Sequence, residues 1–453
     1  MNRYTQYMYS YPHKTAYGPL SGIALSDYKK YLTGPGHSLY LHVPFCQSKC
    51  GYCNLFSLTG QKKETMDGYL DAVERQICQY KEILSKAGTC FSDLTIGGGT
   101  PLLFSREQLR RMFDLIFSKL DFQKERQVII ETAPNQTTRE KLEVLKEAGV
   151  TRISMGIQSF LDSELETLGR KHRADQARSA LCLLKEMDFP CLNLDFIYGI
   201  PGQTEASFMD SLKEALTFEP DELFLYPLYV RRGVAMEKSL REGTVLDGEQ
   251  AFSQYRRARE ILLSAGFRQD SMRRFVKAEK KRDYEACGFG TSLALGCGGR
   301  SYLGNLHFCT PYGVTVSQCQ TELKNYMETE DFTRICHGIF LSEEEMKRRH
   351  LIRHLFIRPG LSLGDYRERF GGEALEEFPV LKSWMSEGYL ELIKEEIPKG
   401  SQEEFLCLTE KGMGLSDFLG PELMSRQVKK KMEEWGMDDG KTDSSIPGDF
   451  KKL

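Results

Sequence analysis

Short apolar runs alternate with longer stretches of helical periodicity over about residues 36–230. Segments such as MDGYLDAVERQICQYKEILSKAG (66–88) and SREQLRRMFDLIFSKL (105–120) repeat apolar residues at the helical spacing. The runs between such segments read as buried strands: SLYLHV (38–43), DLTIGGG (93–99), QVIIETA (127–133), RISMGIQ (152–158), LNLDFIYG (192–199) and ELFLYPLYV (222–230). This alternation is typical of βα units with a parallel sheet, and six units are fewer than the eight of a closed TIM barrel.

The pattern of apolar and charged residues changes outside this region. After 335, three charged helical stretches precede a predicted β-hairpin around PKGSQ (398–402), and this order resembles a winged-helix module. We therefore predict an α/β protein, a partial (β/α)6 TIM-like barrel with a C-terminal winged-helix-like α+β module. The predicted parts are an N-terminal strap (1–35), the barrel (36–230), a barrel extension that completes the substrate cavity (231–335), the module (336–425) and a charged, flexible tail (426–453).

Polar residues and glycines follow the predicted barrel strands. In parallel α/β sheets the functional groups lie at the carboxyl ends of the strands. The residues found there are Cys46, Gly97 to Thr100, Glu131, Gln158 and Asp195. One end of the barrel is therefore expected to carry the chemistry.

Composition narrows the class of protein. With 453 residues and a net charge of −3, the chain has no basic field for nucleic acid, and we expect no nucleic-acid partner. No stretch reaches the roughly 18 consecutive apolar residues of a membrane span, and the polar N-terminus does not resemble a secretory signal. Thirteen cysteines spread over a long chain argue against a secreted disulfide framework, so we expect a cytoplasmic location.

Three cysteines form the most specific motif of the chain. Cys46, Cys50 and Cys53 lie in YLHVPFCQSKCGYCNLF with the spacing Cys-x3-Cys-x2-Cys. Thiolates at this spacing can hold three irons of one cubane cluster. No fourth cysteine is close, which leaves one iron open to a ligand that is not protein.

This motif, with GGGTP at 97–101, resembles the radical S-adenosylmethionine (SAM) superfamily, in its oxygen-independent coproporphyrinogen III oxidase-like branch. The resemblance implies a [4Fe–4S] cluster on the three cysteines and one or two SAM molecules. It implies reductive cleavage of SAM to a 5′-deoxyadenosyl radical, and a flavodoxin- or ferredoxin-type electron donor. The substrate would be a small molecule, a tetrapyrrole or another conjugated compound, either oxidised or decarboxylated or methylated by a class C reaction.

The resemblance also assigns side chains to SAM. Contacts to the cluster-bound SAM are implied for Tyr40, Gly98, Gly99, Thr100 and Glu131. Contacts to a second SAM are implied for Tyr52, Gln158, Arg170 and Asp195. Arginine and aspartate suit the carboxylate and the amine of an amino-acid moiety.

The chain differs from the coproporphyrinogen oxidases at one position that bears on its reaction. Leu55 stands where those enzymes have a fourth cysteine, which weakens the decarboxylase interpretation. The N-terminal SYPHKTAYGPL (10–20) resembles a subgroup of this branch with no settled substrate. The alternative is a haem-binding chaperone of the same fold with little radical activity, for which His13, His42 and His307 are possible ligands.

Three further groups are weaker candidates. In the strap, Tyr11, His13, Lys14 and Tyr17 could fold over the barrel mouth and meet a carboxylate-bearing substrate, or could simply pack there. Possible carboxylate grips are Arg231, Arg232, Arg273 and Arg274. An auxiliary cluster is conceivable at Cys287, Cys297, Cys309 and Cys319, although buried cysteines are often only small apolar residues.

Overall fold

The structure is a computed structural model of the 453-residue chain. It describes residues 4, 10–230, 234–241, 247–280, 289–396 and 402–438.

Six parallel strands form the centre of the molecule, as predicted. They are β1 Pro35–Val43, β2 Cys90–Gly98, β3 Phe122–Thr132, β4 Arg152–Gln158, β5 Cys191–Tyr198 and β6 Glu222–Pro227. Each pairs in parallel with the next along the chain, so strand order follows sequence order. The carboxyl ends of all six strands therefore meet at one mouth, and the predicted partial barrel is confirmed.

Helices connect the barrel strands and cover their outer face. They are Lys63–Ala87, Arg106–Phe117, Arg139–Glu147, Asp162–Thr167, Ala174–Met187 and Glu205–Leu216. Lys63–Ala87 buries Tyr69, Val73 and Ile77 on one stripe, at the spacing that its sequence predicts. Ser105 begins the next helix by accepting a hydrogen bond from the Gln108 N–H.

The barrel sheet continues on both edges. Ser292–Leu295 pairs in parallel with β1, and Arg274–Lys277 pairs antiparallel with β6. Among the described residues, further antiparallel strands bring the sheet to thirteen: Gly18–Pro19, Phe267–Gln269, Arg300–Leu303, Leu306–Cys309 and His337–Phe340. Because His337–Phe340 pairs with Leu306–Cys309, the sheet extends past the boundary predicted at residue 335.

A smaller α+β module follows the sheet. Its helices are Glu343–Leu355, Leu363–Phe370, Ala374–Glu377 and Val380–Ser386, and its strands are Leu361–Ser362, Leu390–Glu396 and Gln402–Leu408. The last two strands form the predicted hairpin, with Leu390 opposite Leu408. Helices followed by a three-stranded antiparallel sheet give the winged-helix-like arrangement that we expected.

The remaining elements are short or connect these parts. The α-helices are Met236–Arg241, Gly248–Ser264, Val316–Glu328, Glu410–Met413 and Ser416–Leu419. Single-turn or 3₁₀ segments are Lys14–Ala16, Leu25–Leu32, Pro101–Leu103, Pro134–Gln136 and Gly420–Leu423. A two-residue strand, Phe45–Cys46, pairs with Leu58–Thr59 beside the barrel mouth.

The end of the described chain differs from the prediction of a flexible tail. Arg426–Asp438 is a helix, and residues 439–453 lie outside the described residues. Val428, Met432 and Trp435 share one face at i, i+4 and i+7, and Val428 is buried in the core. The many charges on the other face hid this apolar stripe. Among the described residues, no helix is long and apolar enough to cross a membrane.

Candidate active site

A cavity of about 700 Å³ opens at the carboxyl ends of the barrel strands. We call it the mouth cavity, and its size is typical of a site for a small molecule. All the predicted site residues except Tyr40 line it: Cys46, Cys50, Tyr52, Cys53, Gly98, Gly99, Thr100, Glu131, Gln158, Arg170 and Asp195. The structure thus brings the two predicted SAM sets and the three cysteines to one space.

Tyr40 lies in a second chamber. This inner cavity, of about 370 Å³, lies inside the barrel and extends to the C-terminal module. Glu131 and Ser154 line both cavities, so they stand where the two meet. The Tyr40 hydroxyl is 3.2 Å from Nδ1 of His42, whose Nε2 is 2.8 Å from the Phe56 carbonyl oxygen. Burial lowers the pKa of His42 to about 3, so this imidazole is neutral.

The cysteine loop is held by backbone bonds from distant segments. Cys46 ends the strand Phe45–Cys46, and the Cys53 N–H donates to the Cys50 carbonyl over 3.1 Å. The Gly51 N–H donates to the Leu168 carbonyl at 2.9 Å. The spacing of the three thiols is therefore fixed by the fold as well as by the local sequence.

The three thiols fit a cluster better than a single ion. In the part of the chain that the structure describes, no three His, Cys, Asp or Glu side chains are grouped to hold one metal ion. A cubane cluster does not require three ligands around one ion, because each thiolate binds a separate iron. Burial raises the pKa of the Cys46 thiol and raises that of Cys53 to about 12. Iron binding must therefore displace protons from these thiols.

The glycine loop after β2 packs directly on the cysteine segment. The Thr100 N–H donates to the Phe45 carbonyl at 2.7 Å, and the Thr100 hydroxyl lies 3.7 Å from the Cys46 sulfur. A Cβ at Gly99 would collide with the Phe45 backbone. Gly98 adopts a φ of +110°, which is open to glycine but not to L side chains. Only glycine at these two positions lets the loop lie this close.

Two carboxyl groups face the cavity with raised pKa values. Burial raises the pKa of Glu131 to about 7 and that of Asp195 to about 6. The Gly98 N–H donates to Glu131 Oε2 at 3.0 Å, and the Asn193 amide donates to Asp195 Oδ1 at 2.8 Å. Each carboxyl group is thus oriented by a donor while part of it remains available to a ligand.

Arg170 joins the second predicted SAM set to the cysteines. Its Nη1 donates to the Cys50 sulfur over 3.3 Å, and its Nη2 donates to the Gly156 carbonyl. Burial lowers the pKa of Arg170, but the neighbouring Tyr52 and Cys50 raise it more, so the guanidinium remains charged. Gln158 ends β4 with a φ of +69°, a conformation that non-glycine residues rarely adopt.

Tyr52 lies between the last two cysteines on an apolar wall. Its ring packs against a small cluster of buried side chains: Leu168, Ile197, Ile200, Leu228 and Met236. Burial raises the pKa of its hydroxyl well above the ordinary value. The ring therefore meets the mouth cavity as an apolar surface.

Of the four strap candidates, His13 lines the mouth cavity, together with Thr15. The other three pack elsewhere. The hydroxyl of Tyr11 donates to Glu345 of the module, Lys14 Nζ donates to the Gly298 carbonyl at 3.3 Å, and Tyr17 is buried. The strap thus reaches the mouth through His13 and is fixed by its neighbours.

Two of the possible carboxylate grips, Arg273 and Arg274, have internal partners. Arg273 forms an ion pair with Asp417, and Arg274 forms one with Glu222 at 2.7 Å. Both arginines line the inner cavity rather than the mouth. Arg231 and Arg232 lie outside the described residues.

The cysteines considered for an auxiliary cluster are buried in the fold where they are described. Cys297, Cys309 and Cys319 belong to the hydrophobic core, and Cys287 lies outside the described residues.

Several lining residues escaped the sequence analysis: Lys49, Tyr226, Tyr229, Tyr312, Met432 and Trp435. Lys49 lies between Cys46 and Cys50 of the motif, and this position was the sequence signal that could have identified it as a lining residue. The apolar stripe of the last helix was the signal for Met432 and Trp435. Nothing local marks Tyr312, which reaches the mouth from the segment after a sheet strand.

Comparison with known proteins supports the same reading of the fold and the motif. Residues 40–215 match the radical SAM superfamily. The chain is 30% identical over 318 residues to the heme chaperone HemW of Haemophilus influenzae, covering 69% of this chain and 78% of that one. It is 26% identical over 335 residues to the oxygen-independent coproporphyrinogen III oxidase of Escherichia coli, covering 70% and 71%.

A solved structure agrees over nearly the whole chain. The coproporphyrinogen III oxidase HemN from Escherichia coli, described as a radical SAM enzyme, superposes with a TM-score of 0.76. The superposition covers 94% of this chain and 97% of that one at 21% identity, so it speaks for the fold. Radical SAM proteins hold a [4Fe–4S] cluster and SAM, and the three thiols at the mouth suit such a cluster. This chain therefore belongs to the radical SAM superfamily, in the branch that contains HemW and HemN.

Proposed function

We propose that this protein is a radical SAM enzyme that acts on a tetrapyrrole or another conjugated small molecule. One observation carries the proposal: Cys46, Cys50 and Cys53 line the same cavity as all the predicted SAM residues except Tyr40. The relatives named as coproporphyrinogen III oxidases and heme chaperones support the substrate class.

The three thiolates would hold a [4Fe–4S] cluster, and SAM would lie against the glycine loop. When bound and reduced, the cluster and SAM together supply a 5′-deoxyadenosyl radical. A flavodoxin- or ferredoxin-type protein is the electron donor that we propose.

The chain's own residues would orient SAM and exclude water. Gly98 and Gly99 allow the loop to approach the ligand, and the Glu131 carboxylate can accept hydrogen bonds from an amino group or from ribose hydroxyls. Gln158, Arg170 and Asp195 would hold a second SAM, with the Tyr52 ring packed beside it. The Arg170 guanidinium, whose terminal nitrogens donate to Cys50 and Gly156, supplies positive charge near a ligand carboxylate, while the Asp195 carboxylate suits an amine.

The test uses anaerobically reconstituted protein with SAM and dithionite. Mass spectrometry quantifies 5′-deoxyadenosine and S-adenosylhomocysteine in the same reaction. We expect 5′-deoxyadenosine, and its loss in Cys50→Ala. Cys78→Ala is the matched control, because this cysteine is exposed on the helix Lys63–Ala87. No 5′-deoxyadenosine from protein with a full cluster would contradict the proposal.

The same measurement separates the two kinds of reaction. 5′-Deoxyadenosine alone favours oxidation or decarboxylation, while both products favour class C methyl transfer with two SAM molecules. Equilibrium binding of SAM gives the stoichiometry directly. If the parent protein binds one SAM, the role proposed for Gln158, Arg170 and Asp195 in a second site is wrong.

A haem-binding chaperone is the second candidate, favoured by the 30% identity to a heme chaperone. The three histidines that could bind haem differ in their access to solvent and to the mouth cavity. His42 and His307 are 3% and 1% exposed, whereas His13 lines the mouth cavity. A stoichiometric haem absorbance band that shifts in His13→Ala, without SAM cleavage, would replace the enzyme proposal with this one.

A further inference from the structure

The roof of the mouth cavity is built from three distant parts of the chain. His13 comes from the strap, Tyr312 from the segment before the helix Val316–Glu328, and Trp435 from the last described helix. The last helix packs against Lys14–Ala16, so the two ends of the described chain meet above the cysteines. Nothing in the cluster or SAM assignments uses these rings.

The Tyr312 ring contacts both of the other rings in a defined geometry. The centroids of Tyr312 and Trp435 are 5.2 Å apart at an interplanar angle of 40°. His13 meets Tyr312 edge-on, with 5.6 Å between centroids and an angle of 89°. Lys14 Nζ lies 5.0 Å from the Tyr312 ring centre, which adds a cation–π contact. The rings therefore form a connected aromatic surface.

This surface is tied to the cluster loop. The Tyr312 hydroxyl donates to the Asn54 carbonyl at 2.8 Å, directly after the last cysteine of the motif. Lys49 Nζ donates to the Val314 carbonyl at 2.6 Å from within the motif. These hydrogen bonds therefore fix the position of the aromatic roof relative to the cysteine loop.

Trp435 is placed unlike the other tryptophan of the chain. The sequence has two tryptophans, and Trp384 is buried in the module at 2% exposure. Trp435 is only partly buried and faces the cavity, while Val428 on the same stripe anchors the helix in the core. A large ring that lines a cavity offers apolar area to a ligand at low entropic cost.

We propose that Tyr312 and Trp435, with His13, form a stacking subsite for the conjugated ring of the substrate. This inference rests on the proposed function, since it assumes a flat substrate at the mouth. Lys49 lines the same cavity and supplies a positive charge suited to carboxylates on the rim of such a ring. The C-terminal helix is then a determinant of substrate specificity.

Binding of coproporphyrin III to the anaerobically reconstituted protein tests the subsite. Its dissociation constant is read from the porphyrin absorbance band. Trp435→Ala should weaken binding about tenfold, because ring stacking contributes roughly that factor, whereas Trp435→Phe should stay within about threefold of the parent protein. Lys430→Ala, which is exposed on the other side of the same helix, is the matched control and should bind like the parent.

Each outcome has one meaning. Equal affinity of Trp435→Ala and Lys430→Ala, with equal iron content, overturns the inference. Failure of the parent protein to bind coproporphyrin III also overturns it. The radical SAM proposal is judged separately by 5′-deoxyadenosine from the same preparation, so the two can fail independently. If Trp435→Ala lowers the iron content, a comparable weakening in Trp435→Leu at full iron content supports the subsite, and parent-like binding there overturns it.

Discussion

Nη1 of Arg170 lies 3.3 Å from the sulfur of Cys50. The second nitrogen of the same guanidinium donates to the Gly156 carbonyl, at the carboxyl end of β4. One side chain thus links the cysteine loop to a barrel strand. Gly156 makes this possible, because a Cβ there would lie 3.2 Å from Arg170 Nη2 and 2.7 Å from Gln158 Nε2.

Replacing Arg170 by lysine should slow SAM cleavage about tenfold without loss of iron. A lysine ammonium cannot reach both Cys50 and Gly156 as the planar fork does, and one charged hydrogen bond contributes about 1.5 kcal/mol. The rate of 5′-deoxyadenosine formation and the iron content are measured together. Arg173→Lys is the control, since Arg173 is exposed and pairs with Glu166. If Arg170→Lys forms 5′-deoxyadenosine at the parent rate, the paired hydrogen bonds of the Arg170 guanidinium do not contribute to SAM cleavage.

Glu131→Gln should change the pH dependence of stability in the protein without cofactors. Burial raises the pKa of Glu131 from 4.5 to about 7, so the folded state binds a proton that the unfolded state has released. The free energy of unfolding should therefore fall as the pH rises from about 4.5 to 7. Glutamine cannot ionise, so Glu131→Gln should be more stable than the parent by about 3 kcal/mol at pH 8 and similar to it near pH 4.5.

Urea unfolding at a series of pH values measures this difference. Glu140→Gln, on the exposed part of the helix Arg139–Glu147, is the matched control. A constant difference between Glu131→Gln and the parent across this pH window would mean that folding leaves the pKa of Glu131 unchanged.

Arg273→Ala should destabilise the protein by about 3 kcal/mol. Arg273 and Asp417 form an ion pair at 8% and 0% side-chain exposure, and the Tyr229 hydroxyl also donates to Asp417. Removing the arginine takes a charged partner away from a buried carboxylate. Chemical unfolding measures the loss. The exposed pair Arg257–Glu260 is the control, because Arg257→Ala should cost less than about 0.5 kcal/mol. Similar losses at the two sites would contradict the prediction.

Gly99→Ala should disturb the contact between the glycine loop and the cysteine segment. Its Cβ would overlap the Phe45 backbone, which is not free to move because Thr100 bonds to the same residue. Overpacking of this kind costs about 1–3 kcal/mol, and we expect weaker SAM binding as well. Calorimetric SAM titration and urea unfolding check both effects. Gly248→Ala has open space around the new Cβ and should behave like the parent. SAM affinity that matches the parent in Gly99→Ala would show that the loop tolerates the shift.

The barrel was predictable because its signals are local. Each strand is a short apolar run bounded by a helix of clear periodicity, so β1 to β6 could be identified from neighbouring residues. The C-terminal module was predictable for the same reason. The last helix was missed because three apolar residues among many charges, Val428, Met432 and Trp435, give a weak stripe. Its stability as a helix comes from packing against the strap rather than from its own sequence.

The sequence by itself determined which residues end the strands, and hence which of them meet at the mouth. This follows because parallel strands present their carboxyl ends at one edge, as the grouping of Cys46, Glu131, Gln158 and Asp195 illustrates. Tertiary structure alone decided that Tyr40 faces the inner cavity and that His13, Tyr312 and Trp435 share a roof. These contacts join positions hundreds of residues apart. No local pattern encodes them, because they arise only when the strap, the sheet and the last helix pack together.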